Sequence, residues 1–522
     1  MRSRQGAFRV FESGATSTTP TVAALTTDET CFAFGNLARL VPQTIEHVAG
    51  RSASLVHSLA FARLCRAVIL TGAILDSFAR HSAGQDSRRM THDVRHTTAR
   101  TCRPALLVVY RSTSDAVAKG AMFIVTVAAA RWMSREDFGY FALATTLGWL
   151  GLVAADFGIQ THLARSVAQQ PDEAAQLLRR WLPSRLAFGL GSLALSLVLL
   201  LSFGVDPRAR VPMWLFALAY AVTGLSEYLY YFFRGLGRTD LESTLTLVQR
   251  GGMCVLSLAA LWWRPTLTPV ALAMLVPALL TLVMSGFAAQ ALAPQTARER
   301  PSGRSGVSRE LVTSVVPIGI GILLSALYFR IDVFLLERWS GTTAVALYNA
   351  VFRVVEALRL FPSAVLAVSM PALCRASDLR TLARVAAPLT AASIGAAVVL
   401  WFTATWLVPA LYGAPFADAV LPFRTLVVAV PLMTLNYALT SQLIGWHGHR
   451  AYAGICACAF AFNVLLNSQL IPAAGMNGAA WATVWTELLL TCGCAVALAR
   501  IDPTTAIPTV DQPHGQPLQV RA

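Results

Sequence analysis

Charged side chains are scarce in this chain of 522 residues: they make up 13% of it, whereas hydrophobic residues make up 55%. Soluble domains carry about 25% charged residues, so the composition excludes a soluble domain and indicates a polytopic membrane protein. Lysine is almost missing, because Lys119 is the single one and all other basic side chains except histidine are arginine.

Patterns for metal, cofactor and nucleic-acid binding are also missing. Cys456 and Cys458, like Cys492 and Cys494, are separated by one residue instead of two, which predicts small buried residues and no zinc site. No HExxH motif and no Ser/His/Asp set occurs. The net charge of +15 comes from arginines in short loops between apolar runs, without a basic stripe that carries aromatics. We therefore predict no metal, no cofactor and no nucleic-acid partner.

Long loops are absent too: none between the apolar runs exceeds about 25 residues, which leaves no room for a folded catalytic domain outside the membrane. Any chemistry takes place within the helix bundle.

What the sequence has in abundance is apolar segments near the ~20 residues that a spanning helix needs. We predict about twelve of them, at 107–130, 138–158, 183–203, 211–233, 243–263, 268–292, 311–336, 345–371, 385–409, 420–445, 450–471 and 477–499.

A break divides these segments six and six. It runs from Pro294 to Glu310, is rich in Pro, Gly, Ser and Arg, and is typical of a flexible cytoplasmic linker. The predicted fold is all-α, with an N-terminal six-helix lobe at 104–293 and a C-terminal six-helix lobe at 311–500. Residues 501–522 are predicted to be a disordered cytoplasmic tail.

The first 103 residues differ from the rest, since they are rich in Ser, Thr, Arg and His. We expect a poorly ordered N-terminal extension. Two explanations stay open: a disordered tail, or a misassigned start codon with the true beginning nearer Met90, which we favour.

Arginines in the connecting loops predict the orientation. Loops that face the cytoplasm carry an excess of Arg and Lys. With the N-terminus inside, the inner loops hold roughly twice as many arginines as the outer loops, so both termini are predicted to be cytoplasmic.

The hairpin from about Leu311 to Met370 carries charges at membrane depth. Such charges cost several kcal/mol unless they face a partner or a water-filled cavity. An Arg330–Glu356 pair or an Asp332–Arg353 pair across the hairpin is predicted, and if both form, Arg359 is left for an anionic ligand. A structural network neutralised within itself is the alternative. In the same hairpin, Pro317, Gly319 and Gly321 predict a hinge.

The first half carries Lys119, Glu227 and Arg250 at membrane depth. They predict a basic site in which Glu227 holds one of the two cations, or a structural ion pair whose third member reaches the membrane surface. Asn463 and Asn467, one turn apart, predict hydrogen bonds between helices, with contact to a sugar as the alternative.

Several short motifs in order resemble a known family. They are RWMSREDFGYFAL (131–143), DFGIQ (156–160), FRIDVFLL (329–336), LYNA (347–350), LFP (360–362), LYG (411–413), NVLLN (463–467) and GMNGAA (475–480). Over about Leu106 to Arg500 the chain resembles the oligosaccharide (O-antigen, Wzx-type) flippases of the multidrug/oligosaccharidyl-lipid/polysaccharide (MOP) exporter superfamily. Family members often have more helices and lack the long N-terminal segment.

The resemblance implies a V-shaped bundle of two pseudo-twofold lobes, like that of the multidrug (MATE) exporters, with alternating access in the bacterial inner membrane. It also implies a basic cavity for the pyrophosphate–sugar head of a polyprenyl-linked oligosaccharide, a repeat unit of O-antigen, capsule or exopolysaccharide. Partners would be that lipid, the bilayer and the polysaccharide polymerase or chain-length machinery. The cavity candidates are Lys119, Arg250, Arg330, Arg353 and Arg359, with Glu227, Asp332 and Glu356 as ion-pair or coupling residues.

Two alternatives remain open. Drug and cation exporters of the same superfamily favour acidic cavities, whereas basic residues here equal or exceed acidic ones at membrane depth. An integral-membrane O-antigen polymerase or ligase should show a long periplasmic loop with Arg or His, and this chain has none. A transporter, not an enzyme, is therefore expected.

Overall fold

The computed structural model describes residues 96–202, 205–292, 315–375, 378–446 and 448–501. The linker predicted at 294–310 lies outside these residues, as do nearly all of the N-terminal extension and of the C-terminal tail.

The described residues form helices and no strand. In chain order the helices are α1 (His96–Trp132), α2 (Arg135–Asp156), α3 (Ile159–Gln169), α4 (Ala174–Ser202), α5 (Pro207–Gly235), α6 (Thr239–Trp263), α7 (Leu267–Leu292), α8 (Val316–Leu358), α9 (Leu360–Arg375), α10 (Leu379–Tyr412), α11 (Val420–Gly445) and α12 (His449–Arg500). Short 3₁₀ turns cover Pro171–Glu173 and Ala414–Ala419.

Nine helical stretches in this part of the chain are long and apolar enough to cross a membrane. Two of them, 319–366 and 449–500, are long enough for two crossings each. The described part of each predicted segment falls mainly on helical residues, and the number twelve stays a prediction. The all-helical membrane fold is confirmed.

Glycines interrupt the two longest helices. Gly341 in α8 has φ 80° and ψ 171°, and Gly475 in α12 has φ 55° and ψ −132°. Positive φ is sterically easy only without a Cβ atom. Each long helix is therefore two helices joined at a glycine, and the chain folds back at these points.

Helices α2 and α8 join the two halves of the described fold. Helices α2 and α4 to α7 contact one another, α8 to α12 contact one another, and α2 packs along α8. Two glycines allow this close approach: Gly139 lies against Thr342, and Gly319 lies against Phe157 at the opposite end of α2. A Cβ atom at either glycine would collide with a backbone carbonyl oxygen of its neighbour.

Large apolar side chains are exposed on the outer surface of the bundle. Trp263 is 75% exposed and Phe402 is 74% exposed. In water such a surface would associate or aggregate, whereas in a bilayer it contacts lipid tails. The chain is a multi-pass membrane protein.

Candidate functional site: a shared carboxylate between two arginines

The hairpin in α8 brings charged residues from its two parts together. Arg330 lies before the turn at Gly341 and Glu356 lies after it. Nη2 of Arg330 donates to Oε1 of Glu356 at 2.5 Å, which is the predicted pair across the hairpin. The Arg330 side chain is 4% exposed, and its guanidinium also lies 4.6 Å from the centre of the Phe352 ring.

The second oxygen of the same carboxylate binds another arginine. Nη1 of Arg353 donates to Oε2 of Glu356 at 2.8 Å, one helical turn away. Nη2 of Arg353 lies 3.5 Å from Oγ1 of Thr145 on α2. One acid therefore serves two cations, and the network extends from the second half of the fold to the first.

Asp332 has a different partner from the one predicted. Its Oδ2 accepts a hydrogen bond of 2.7 Å from the hydroxyl of Tyr348, and its Oδ1 accepts one of 2.9 Å from the backbone N–H of Val333. The predicted Asp332–Arg353 pair is not formed, because Arg353 binds Glu356 instead. The Tyr348 hydroxyl also lies 3.3 Å from Oγ1 of Thr483 on α12.

Arg359 has aromatic neighbours instead of an acid. Its guanidinium carbon lies 4.2 Å from the centre of the Phe329 ring and 4.9 Å from that of Tyr437. Its Nε is buried without a hydrogen bond, and no carboxylate lies within 4 Å of its nitrogens among the described residues. Cation–π contacts stabilise the charge but leave its hydrogen-bonding capacity unused.

The first half contains ion pairs of its own, and one of them joins two predicted site residues. Nη2 of Arg250 on α6 lies 3.5 Å from Oε1 of Glu227 on α5, and both side chains are partly exposed. Lys119 is exposed on α1 and has no ion-pair partner in the described part of the chain. Of the two predicted cations, Glu227 therefore holds Arg250.

Sequence reasoning missed three buried charges: Arg185, Glu242, which is 7% exposed on α6 and binds Arg234, and Glu487. Arg185 on α4 is 1% exposed and lies against Gly224 of α5, where the missing Cβ makes room for the guanidinium. Glu487 on α12 is 2% exposed, and Nδ2 of Asn436 donates to its Oε2 at 2.7 Å. Like Glu227, Glu487 is an acidic residue within an apolar segment. It could therefore have been predicted from the sequence by the same criterion.

The predicted hinge residues lie near the start of α8. In the described chain α8 begins at Val316, so Pro317 occupies the first turn, where proline removes no helical hydrogen bond. The non-helical residue of α8 is Gly341. Gly319 allows the close contact with Phe157, and a Cβ atom added at Gly321 would be in van der Waals contact with Tyr452. A hinge at these three residues stays a prediction.

The predicted hydrogen bonding by asparagines is confirmed for Asn463. Its Nδ2 donates to Oγ1 of Thr486 at 3.0 Å, which joins the two parts of α12, while Asn467 bonds back to Asn463. No group of three or more His, Cys, Asp or Glu side chains suited to a metal ion occurs within the described ranges.

Comparison with known proteins shows the family of the chain. The family model described as polysaccharide biosynthesis protein matches residues 108–377, which is more than half of the chain. The chain belongs to the polysaccharide biosynthesis protein family. This match agrees with the family resemblance described above. No curated protein sequence matches the chain significantly.

Several solved membrane-protein structures share the fold of this polysaccharide biosynthesis protein. Lipid II flippase MurJ in an inward closed conformation has a TM-score of 0.61 at 11% identity, over 76% of this chain and 90% of that chain. An inward-facing multidrug resistance MATE family transporter of the MOP superfamily has a TM-score of 0.58 at 13% identity, over 78% of this chain and 99% of that chain. A eukaryotic MATE transporter has a TM-score of 0.54 at 12% identity, over 78% of this chain and 97% of that chain. At these identities the likeness shows that the chain has the fold of these transporters.

Proposed function

We propose that the protein is a flippase for a polyprenyl-pyrophosphate-linked oligosaccharide. It would carry a repeat unit of O-antigen, capsule or exopolysaccharide from the cytoplasmic to the periplasmic face of the bacterial inner membrane, by alternating access between the two six-helix lobes. Both termini would lie in the cytoplasm, and the polymerase or chain-length machinery would receive the cargo.

The observation that carries this proposal is the single carboxylate shared by Arg330 and Arg353. Since Glu356 has to serve both cations, neither is neutralised by an acid of its own. Arg353 is the more accessible of the two, with its side chain 25% exposed, and it reaches across to α2. An anionic group that replaces Glu356 at Arg353 would leave Glu356 bound to Arg330.

A pyrophosphate headgroup fits this chemistry. It cannot cross hydrocarbon unaided because its charges would lose their hydration. The planar fork of arginine offers two parallel hydrogen bonds to a phosphate. Arg359, with unused donors beside Phe329 and Tyr437, would be a further contact for the cargo. Lys119 and Arg250 would supply positive charge in the first half.

Coupling to an ion gradient would use the acidic residues. Asp332 and Glu227 are the candidates for a proton or sodium carrier. Asp332 is held by a neutral hydroxyl and a backbone N–H instead of a salt bridge, so its charge has no cation bound directly to it.

Reconstitution into proteoliposomes tests the cargo class. Undecaprenyl-pyrophosphate carrying a fluorescent disaccharide is placed in the membrane, and the fraction quenched by membrane-impermeant dithionite is followed over time. We expect the wild type to raise the flipping rate above that of protein-free vesicles, while ethidium, a typical cationic drug, is not transported. Transport of ethidium without flipping of the lipid would favour the MATE-like small-molecule exporter. New glycosidic product in the same vesicles would favour the polymerase or ligase.

A further inference from the structure

A cavity of about 380 Å³ lies at one end of the second half. Arg330, Arg353 and Glu356 are not among its lining residues. We call it the outer cavity, and its lining comes from three connections: the turn of α8, the start of α11 with the preceding 3₁₀ turn, and the break of α12. Its lining residues are Ser340, Ala344, Asp418, Leu421, Pro422, Ala474, Gly475, Met476 and Asn477. The arginine distribution predicts all three connections on the periplasmic side.

The polar groups in this lining have hydrogen-bonding capacity to spare. Asp418 is exposed, and within the described residues its carboxylate has no hydrogen-bond or salt-bridge partner, nor does the hydroxyl of Ser340. Oδ1 of Asn477 accepts a hydrogen bond of 2.8 Å from Oγ1 of Thr425. That contact fixes the amide, so its Nδ2 group remains as a donor.

These groups match a sugar better than they match an anion. A carboxylate that accepts, an amide that donates and a hydroxyl that does both complement neighbouring sugar hydroxyls, each of which is donor and acceptor. No Arg or Lys lines the cavity, and its single charge is negative, so a phosphate is not attracted. Leu421, Pro422 and Met476 supply apolar surface for the C–H faces of a sugar ring. The volume lies within the range of small-ligand sites, about 300–1,000 Å³.

The outer cavity lies at a different depth along α8 from Arg353. Ala344 precedes Arg353 by nine residues, which corresponds to about 13 Å along the helix. A group bound at Arg353 therefore does not occupy the outer cavity.

We propose that the outer cavity is a binding site for a neutral sugar unit, with Asp418 and Asn477 as the residues that recognise its hydroxyls. The proposal deepens the proposed function, on which it rests for the source of the sugar. The site would hold the saccharide part of the cargo at the periplasmic face, apart from the arginines that bind the pyrophosphate.

Saturation-transfer NMR on the full chain in lipid nanodiscs tests this site. The probes are free glucose, galactose, rhamnose and N-acetylglucosamine. We expect saturation transfer to at least one sugar with the wild type. In the Asp418→Asn, Asn477→Ala double variant, the affinity for that sugar should fall by about tenfold, because hydrogen bonds to charged groups are stronger than those between neutral groups. Asp206→Asn is the matched control: Asp206 accepts from the backbone N–H of Arg208 at the start of α5, and asparagine keeps that cap.

A second probe separates this proposal from the proposed function. Undecaprenyl pyrophosphate without a sugar should bind the double variant as it binds the wild type, and should bind Arg353→Ala more weakly. Absence of sugar binding to the wild type, or equal sugar binding in the double variant, would overturn the outer-cavity proposal and leave the flippase proposal standing. Calcium binding that depends on Asp418, in place of sugar binding, would overturn it as well. Undecaprenyl pyrophosphate binding that is unchanged in Arg353→Ala would instead count against the flippase proposal.

Discussion

The guanidinium of Arg353 on α8 reaches the hydroxyl of Thr145 on α2, with 3.5 Å between Nη2 and Oγ1. The same guanidinium binds Glu356 through Nη1. A movement that separates α2 from α8 would therefore remove one partner of Arg353 and leave the other. This contact links the charges of the second half to any relative motion of the two halves.

Replacing Glu356 with Gln should destabilise the protein. The change leaves Arg330 and Arg353 without their common acid, and removing one member of a buried ion pair costs roughly 3 kcal/mol or more. Thermal unfolding in detergent should show a lower Tm for Glu356→Gln. Asp378→Asn is the control, because Asp378 pairs with Arg380 on the exposed surface, where such pairs contribute about 0–1 kcal/mol. Equal Tm values for the two variants would contradict this prediction.

Arg359→Ala should lower export more than it lowers stability. Arg359 stacks on Phe329 and Tyr437 without an acidic partner, so its charge is available to cargo. Arg424→Ala is the matched control, because Arg424 also lies over an aromatic ring, that of Trp401 at 5.9 Å, on the exposed surface. Lipid-linked oligosaccharide export in cells should fall by about tenfold or more for Arg359→Ala and stay near wild type for Arg424→Ala. If both variants export alike at equal expression, Arg359 is not part of the cargo site.

Gly139→Ala and Gly319→Ala should shift the two ends of the α2–α8 contact in different ways. An added Cβ collides with Thr342 in the first case and with Phe157 in the second, so each change forces α2 from α8 at its own end. Pulsed electron resonance between spin labels at Glu136 and Ala414, both exposed, should show a longer distance in Gly139→Ala only. Gly251→Ala, where a Cβ meets nothing within 4 Å, is the control. Identical distance distributions in all variants would show that the contact at Gly139 does not control the separation of the helices at that end.

Gly224→Ala should reduce stability through Arg185. The new methyl group would occupy the space of the buried guanidinium, and overpacking of this kind costs about 1–3 kcal/mol. Gly189→Ala, where a Cβ has open space, should be neutral or slightly stabilising because alanine favours helix. The midpoints of thermal unfolding of both variants check this, and a drop of equal size at Gly189 would point to a general effect of alanine in these helices.

Much of the fold could be predicted from the sequence because a bilayer imposes strong rules. Spanning helices need long apolar runs, and the described parts of the predicted segments are helical. The Arg330–Glu356 pair could also be predicted as one of two possible pairs, since depth from the turn near Gly341 places Arg330 about level with Arg353, one helical turn from Glu356.

The sequence did not predict contacts that depend on side-chain direction or on packing between distant helices. The partner of Asp332 is the Tyr348 hydroxyl, which depends on side-chain direction and not on depth alone. The space for Arg185 is made by Gly224 on another helix, and a glycine in a membrane helix has many other uses. The Arg353–Thr145 contact requires the packing of α2 on α8, which no single segment specifies.

The most direct test of the central claim is the distribution of lipid-linked oligosaccharide between the two membrane faces in cells that express Arg353→Ala at the wild-type level. Arg353→Lys serves as the comparison, because lysine keeps the charge and loses the planar fork. The account predicts that the oligosaccharide accumulates on the cytoplasmic face in Arg353→Ala, with export reduced by about tenfold or more, and that Arg353→Lys lies between Ala and the wild type. Unchanged export in Arg353→Ala would contradict it.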